Sequence, residues 1–177
     1  MDIKKILALT IVVLALFSCM SVASAGWFDF DFFGPSNATY TFDGFTLDLP
    51  DNVNITNYTD NGDGYIKKDF DIEMEDDSSE FGTSYITVST VTGDSVVTTV
   101  DEYVTNWVNE GATSEGTYNG WSIININGVP MDFGTDYDFN LTYSGYILAK
   151  HTGTKLIFIE GQDLDQLKAI VDTYAEA

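Results

Sequence analysis

The sequence predicts an α+β fold, an antiparallel β-sheet of about six to seven strands flanked by two α-helices, because that is the simplest way to bury all of its apolar faces. Three observations carry the prediction. Phe70, Ile72 and Met74 alternate with Asp69, Asp71, Glu73 and Glu75, the period of a strand with one dry and one wet face. Val97, Val100, Tyr103, Val104, Trp107 and Val108 fall at helical spacings of three and four, and Leu164, Leu167, Ile170, Val171 and Tyr174 repeat that pattern near the C-terminus. Clusters of Gly, Asn and Asp punctuate the rest as turns.

Taken in order, the β-pattern begins at Thr39. Tyr40 and Phe42 lead to the hairpin signal Asp43-Gly44, and Phe45, Leu47 and Leu49 return with period two until Pro50 ends the strand. Val53 and Ile55 mark a short edge segment before the polar turn Asp60-Asn61-Gly62-Asp63-Gly64. The alternating strand Tyr65 to Glu75 follows, then the loop Asp76 to Glu80, and then a β-branched partner from Tyr85 to Val91. The first helix has Asp101 and Glu102 near its start and Gly111 past its end, where macrodipole and C-cap favour them. A strand is expected from Thr117 to Asn127 around Trp121, and another from Tyr137 through Ile147 to Lys150. Leu156 to Ile159 is the most apolar strand, which places it centrally in the sheet. Gly161-Gln162-Asp163 then caps the last helix.

Domain organisation is equally direct. Residues 1–25 read as a signal peptide: Lys4 and Lys5 precede an apolar run from Ile6 to Phe17, and Ala23-Ser24-Ala25 offers cleavage after Ala25. The run is shorter than the roughly 20 residues a membrane helix needs, so no membrane insertion is expected after cleavage. Leu16-Phe17-Ser18-Cys19 loosely resembles a lipoprotein box and leaves a lipid anchor through Cys19 as the minor alternative. Residues 26–38 form an aromatic N-terminal linker in which Trp27, Phe28, Phe30, Phe32 and Phe33 crowd together. Residues 39–177 make a single α+β domain.

Charge narrows the partners. The chain has 7 Lys and no Arg against 28 Asp and Glu, and loss of residues 1–25 leaves a net charge of −22. Such a surface repels phosphate backbones and anionic lipid, so no nucleic acid is expected. With Cys19 lost to the leader, no disulfide is expected, and stability has to come from packing.

The hairpin ending Gly44-Phe45-Thr46-Leu47-Asp48-Leu49-Pro50, the helix around Trp107, and the strand Leu156 to Gly161 followed by a helix resemble the PsbP and Ran-binding Mog-type family, which includes small exported archaeal members. The resemblance implies an α/β/α sandwich over about Thr39 to Tyr174. It implies nothing about activity, because no motif for photosystem or Ran binding is present.

No catalytic residues stand out. His151 is the one histidine, which limits nucleophile and base pairings, and one His without a retained Cys cannot complete a zinc shell. No cofactor is expected, since Gly-rich phosphate loops are absent. Acidic residues are too abundant to single out a glycosidase pair. Thr59 to Phe70 imitates an EF-hand loop but puts Thr59 and Phe70 where the first Asp and the last Glu belong, so a plain turn is the better reading. Weak calcium binding stays open where Asp60 and Asp63 approach Asp76 and Asp77. Four sequons, at Asn37, Asn54, Asn57 and Asn140, are glycosylation candidates. Trp107 and Trp121 read as core residues, whereas Trp27 is the one expected to be exposed and able to stack on a sugar. The expected function is a non-enzymatic exported module that binds a surface glycan or protein, with a carboxylate-type glycan-active enzyme and a calcium-stabilised module as alternatives.

Overall fold

The computed structural model describes residues 37–75, 83–93, 99–131, 141–153 and 155–177. Along them run β1 (Asn37–Phe42), β2 (Phe45–Pro50), β3 (Asn54–Gly62), β4 (Tyr65–Glu75), β5 (Thr83–Thr92), α1 (Val100–Asn109), β6 (Thr113–Tyr118), β7 (Trp121–Asn125), β8 (Tyr146–His151), β9 (Leu156–Gly161), α2 (Leu164–Val171) and β10 (Ala175–Glu176). The class is a sheet-rich α+β fold. The leader, residues 26–36 of the aromatic linker, the Asp76 to Glu80 loop and the stretch around Asn140 lie outside the described residues, while Asn37 and Ala38, read as linker, already pair with Pro50 and Leu49 in β1.

Strands β3 to β9 form one antiparallel seven-stranded sheet in the order β3-β4-β5-β9-β8-β7-β6. The apolar strand β9 occupies its centre, as its composition requires. Ile157 and Ile159 are buried on one face and Leu156 and Phe158 on the other. Full burial of each such side chain stabilises the fold by about 2 kcal/mol.

The opening hairpin departs from the expectation of a single sheet. With β10 it forms a separate three-stranded sheet, ordered β1-β2-β10. Its buried Phe42, Phe45, Leu47 and Leu49 pack against Ile72, Ile86, Val88, Trp121 and Ile159 of the large sheet and against Leu167 and Val171 of α2. Period two fixes which side of a strand is dry but not which strand it pairs with, so the layer was not legible in advance. Helix α1 lies on the opposite face, where Val100, Tyr103, Val104 and Trp107 pack on Ile124, Ile147 and Phe158. The strand expected from Thr117 to Asn127 is instead two strands. Asn119 and Gly120 reverse the chain between β6 and β7 at φ +46° and +80°, the left-handed pair of a type I′ hairpin.

Asp43 ties the small sheet to the large one. It sits in the β1–β2 turn beside Gly44 at φ +92°, with its side chain only 18% exposed. Its carboxylate is held by Lys155 at 2.8 Å, by Lys68 from β4, and by the Thr90 hydroxyl of β5 at 3.1 Å. Lys155 also donates to the Asp43 carbonyl. Burial pulls the Asp43 pKa upward, but the lysine and threonine hydrogen bonds outweigh it and hold the carboxyl below its ordinary 3.8.

A group whose folded pKa is depressed contributes stability above its unfolded value and loses it as pH falls through the folded one. Asp43→Asn should therefore cost about 1–3 kcal/mol at pH 7. In urea melts, the gap between variant and wild type should narrow as pH drops below 3.8.

Candidate functional site

An apolar groove with convergent polar groups is built where α1 meets the loop after β7. Thr99 caps the helix by accepting from the Glu102 N–H at 3.2 Å, and Asp101 and Glu102 sit in the first turn. At the other end Ala112 N–H reaches the Trp107 carbonyl at 3.0 Å and Gly111 takes φ +106°, which stops the helix one turn after Trp107. None of the α1 side chains is fully buried. Its apolar stripe is therefore shared between core and groove.

The facing wall is an antiparallel pairing of residues 128–131 with 141–143. Tyr143 N–H donates to the Val129 carbonyl at 2.8 Å, Gly128 N–H to the Tyr143 carbonyl at 3.0 Å, and Met131 N–H to the Leu141 carbonyl at 2.9 Å. Gly145 lets this pair of segments approach the sheet: its φ is +130°, and a Cβ there would lie 2.3 Å from the Gly161 carbonyl oxygen. Asn127 seals the base, its side chain accepting from Gly145 N–H at 3.0 Å and donating to the Gly145 carbonyl at 3.2 Å.

Between these walls lies a groove of about 390 Å³, lined by Tyr103, Asn106, Trp107, Glu110, Val129, Pro130 and Tyr143. That size is within the range of small-molecule sites. Trp107 meets Tyr143 edge-on, with ring centroids 5.4 Å apart and planes at 84°, while Tyr103 stacks on Phe158. Burial drives the Tyr103 phenol well above its ordinary pKa, the Trp107 indole hydrogen bond opposes this, and Glu160 and Tyr143 add to it. Tyr103 is a neutral phenol at every physiological pH. Asn106 and Glu110 are exposed at the rim.

The sequence-derived candidates distribute unevenly around this site. Trp121 is a core residue, 1% exposed, as its position predicted. Trp107, read from sequence as core alone, is half-buried and lines the groove. Its partner Tyr143 carried no signal beyond strand alternation, so the pair was invisible. Trp27 and Asn140 lie outside the described residues. Asn37 is exposed on β1, and Asn54 and Asn57 are exposed on β3. His151 ends β8 opposite Leu156, apart from the groove-lining residues.

Calcium gains no support around Asp60. Its carboxylate accepts from the Tyr65 hydroxyl at 2.8 Å, Asp76 and Asp77 are not described, and among the described residues no three acidic, His or Cys groups are placed to hold a metal. No family model, curated protein or solved structure matches the chain.

A second polar surface lies on the same sheet face beyond α1. Asp69, Asp71 and Glu73 of β4 each accept from a directly opposite β5 hydroxyl, Ser89 at 2.5 Å, Thr87 at 2.9 Å and Tyr85 at 3.1 Å. These carboxylates were expected to face water freely, but they are half-buried in a hydroxyl ladder. Glu160 on β9 lies beside them. Burial raises its pKa, Lys67 lowers it, and Asp69 and Asp71 raise it again.

An acid whose folded pKa is raised binds more protons native than unfolded, so stability declines as pH climbs from 4.5 through the raised value. Glu160→Gln removes that penalty. The variant should melt at a higher temperature than wild type at pH 7 and at nearly the same temperature at pH 4, by calorimetry.

Proposed function

We propose that this chain is an exported, non-enzymatic binding module whose α1 groove takes a ring of a neutral glycan. The observation that carries the reading is the edge-on Trp107–Tyr143 pair, two aromatic rings that line the groove beside an exposed amide and an exposed carboxylate. A sugar ring is apolar on its C–H faces and polar around its edge. Aromatic side chains complement the first, and Asn106 and Glu110 complement the second. A net charge of −21 disfavours sulfated or phosphorylated ligands. The leader pattern of residues 1–25 supports delivery to the cell exterior, where glycans are displayed.

One further observation favours binding over catalysis. Among the described groove-lining residues Glu110 is the one carboxylate, whereas glycoside hydrolysis employs a facing pair. Among the described residues no helix is long and apolar enough to cross a membrane, consistent with the absence of membrane insertion that the proposal assumes after cleavage. The PsbP-like sandwich belongs to the same proposal. It is supported by the order of opening hairpin, sheet strands, helix, strands and closing helix.

A carboxylate-type enzyme is the second reading, and Glu160 is the observation in its favour. A glutamate with a raised pKa beside two aspartates is how acid and base roles separate. Hydrolysis of any oligosaccharide that is lost in Glu160→Gln and kept in Trp107→Ala would select it.

Titrating neutral oligosaccharides against tryptophan fluorescence tests the binding reading. Saturable quenching is expected with neutral sugars and not with heparin-like polyanions. Asn106→Ala and Glu110→Gln, both on exposed positions, should each weaken binding about tenfold, near 1.4 kcal/mol, without shifting the melting temperature. Trp107→Ala should abolish it. Quenching that is indifferent to these three changes would rule the groove out.

A further inference from the structure

We propose that the edge strand β3 is an N-glycan acceptor, modified at Asn54, Asn57 or both, and that the glycan prevents strand addition at this edge. The inference rests on the export reading above but not on the groove. The seven-stranded sheet ends in two edges, β3 and β6. An edge strand displays a row of unpaired N–H and C=O groups, a template for association with another chain.

The two edges are built differently. Strand β6 is blunted by its own backbone: its register with β7 shifts between Ser114 and Thr117, and Gly116 there takes φ +87°. Strand β3 runs nine residues and pairs with β4 without a shift from Asn54↔Glu73 to Gly62↔Tyr65. It contains no proline and no lysine, and Asp60 is its one charged residue. Among the described residues no strand pairs its outer side. By the devices that usually protect an edge, this one is poorly defended.

What β3 does carry is two sequons back to back, Asn54-Ile55-Thr56 and Asn57-Tyr58-Thr59. Asn54, Thr56, Asn57 and Thr59 are all exposed. An offset of three residues on a strand places the two asparagines on opposite faces. Asn54 stands opposite Glu73, on the polar face, and Asn57 opposite Phe70, on the face of the small sheet. A bulky hydrated glycan on either side bars an incoming strand. The donor is a lipid-linked oligosaccharide of the export membrane. The sugar C1 bonds to the asparagine Nδ2, which loses a proton, while the C1–O bond to the carrier phosphate breaks and the lipid phosphate leaves.

The first test is peptide mass spectrometry across residues 54–59 of the protein recovered from outside its native cells. Hexose- or hexosamine-bearing mass on Asn54 or Asn57 is expected. Two bare asparagines on a protein cleaved after Ala25 overturn this inference and leave export standing, whereas an intact leader on intracellular protein sinks the export reading as well. The second test compares the glycosylated protein with Asn54→Gln/Asn57→Gln and with wild-type chain made in a host that does not glycosylate. Both bare forms should rise at least about twofold in mass by light scattering, the step from monomer to dimer. Adding Thr56→Lys to the bare strand should return it to monomer, with circular dichroism confirming the fold in each case. Bare forms that stay monomeric at the same concentration would remove the blocking role.

Discussion

A central strand that is apolar on both faces has to be covered twice. Leu156 to Ile159 meets that description, and the three-layer arrangement of the described residues follows from it. One cover is the three-stranded sheet with α2, bringing Phe42, Phe45, Leu47, Leu49, Leu167 and Val171 onto Ile157 and Ile159. The other is α1, bringing Tyr103 and Trp107 over Phe158 and Ile147. Two unequal covers leave an uncovered remainder. That remainder, on β4 and β5 beyond α1, is where the carboxylates lie, each joined to a hydroxyl across the strands.

The covers are held differently, and the difference matters for function. The small sheet is packed by fully buried rings and pinned by Asp43 to lysines from two segments. Helix α1 has no fully buried side chain and leans on the sheet by one half-buried stripe, Val100, Tyr103, Val104 and Trp107. A half-seated helix leaves aromatic surface unclaimed by the core. The groove beside Trp107 is that unclaimed surface, and a binding role is proposed for it because its rim supplies polar groups where a ligand edge would sit.

The acidic composition takes on a local meaning in this frame. With a sequence this rich in carboxylates, most carry no individual signal. Asp43 and Glu160 are distinguished by surroundings alone, one compensated by two lysines and the other burdened by burial and two like charges. The Asp43-Gly44 turn signal marks a hairpin and not an ion pair, and no spacing or motif marks Glu160, since the partners of both come from segments remote in sequence. The same holds for the groove, whose Trp107 and Tyr143 are 36 positions apart by their numbers and meet only because β7 and β8 pair.

The amino-acid sequence by itself determined the α+β class, the central place of Leu156 to Ile159, the Asp163 cap of the last helix and the dry faces of β1, β2 and β4, whereas the strand expected from Tyr137 to Lys150 begins only at Tyr146 among the described residues. Those follow from local periodicity and turn chemistry, which neighbouring residues settle among themselves. It under-read the Asn119-Gly120 reversal, although two residues able to take positive φ stood side by side there. Tertiary structure decided that the opening hairpin forms a second layer, that Asp43 fastens it, and that Trp107 serves the surface as well as the core. These outcomes depend on which strands become neighbours across long separations in the chain, and alternation of apolar residues records a direction of burial without recording a partner.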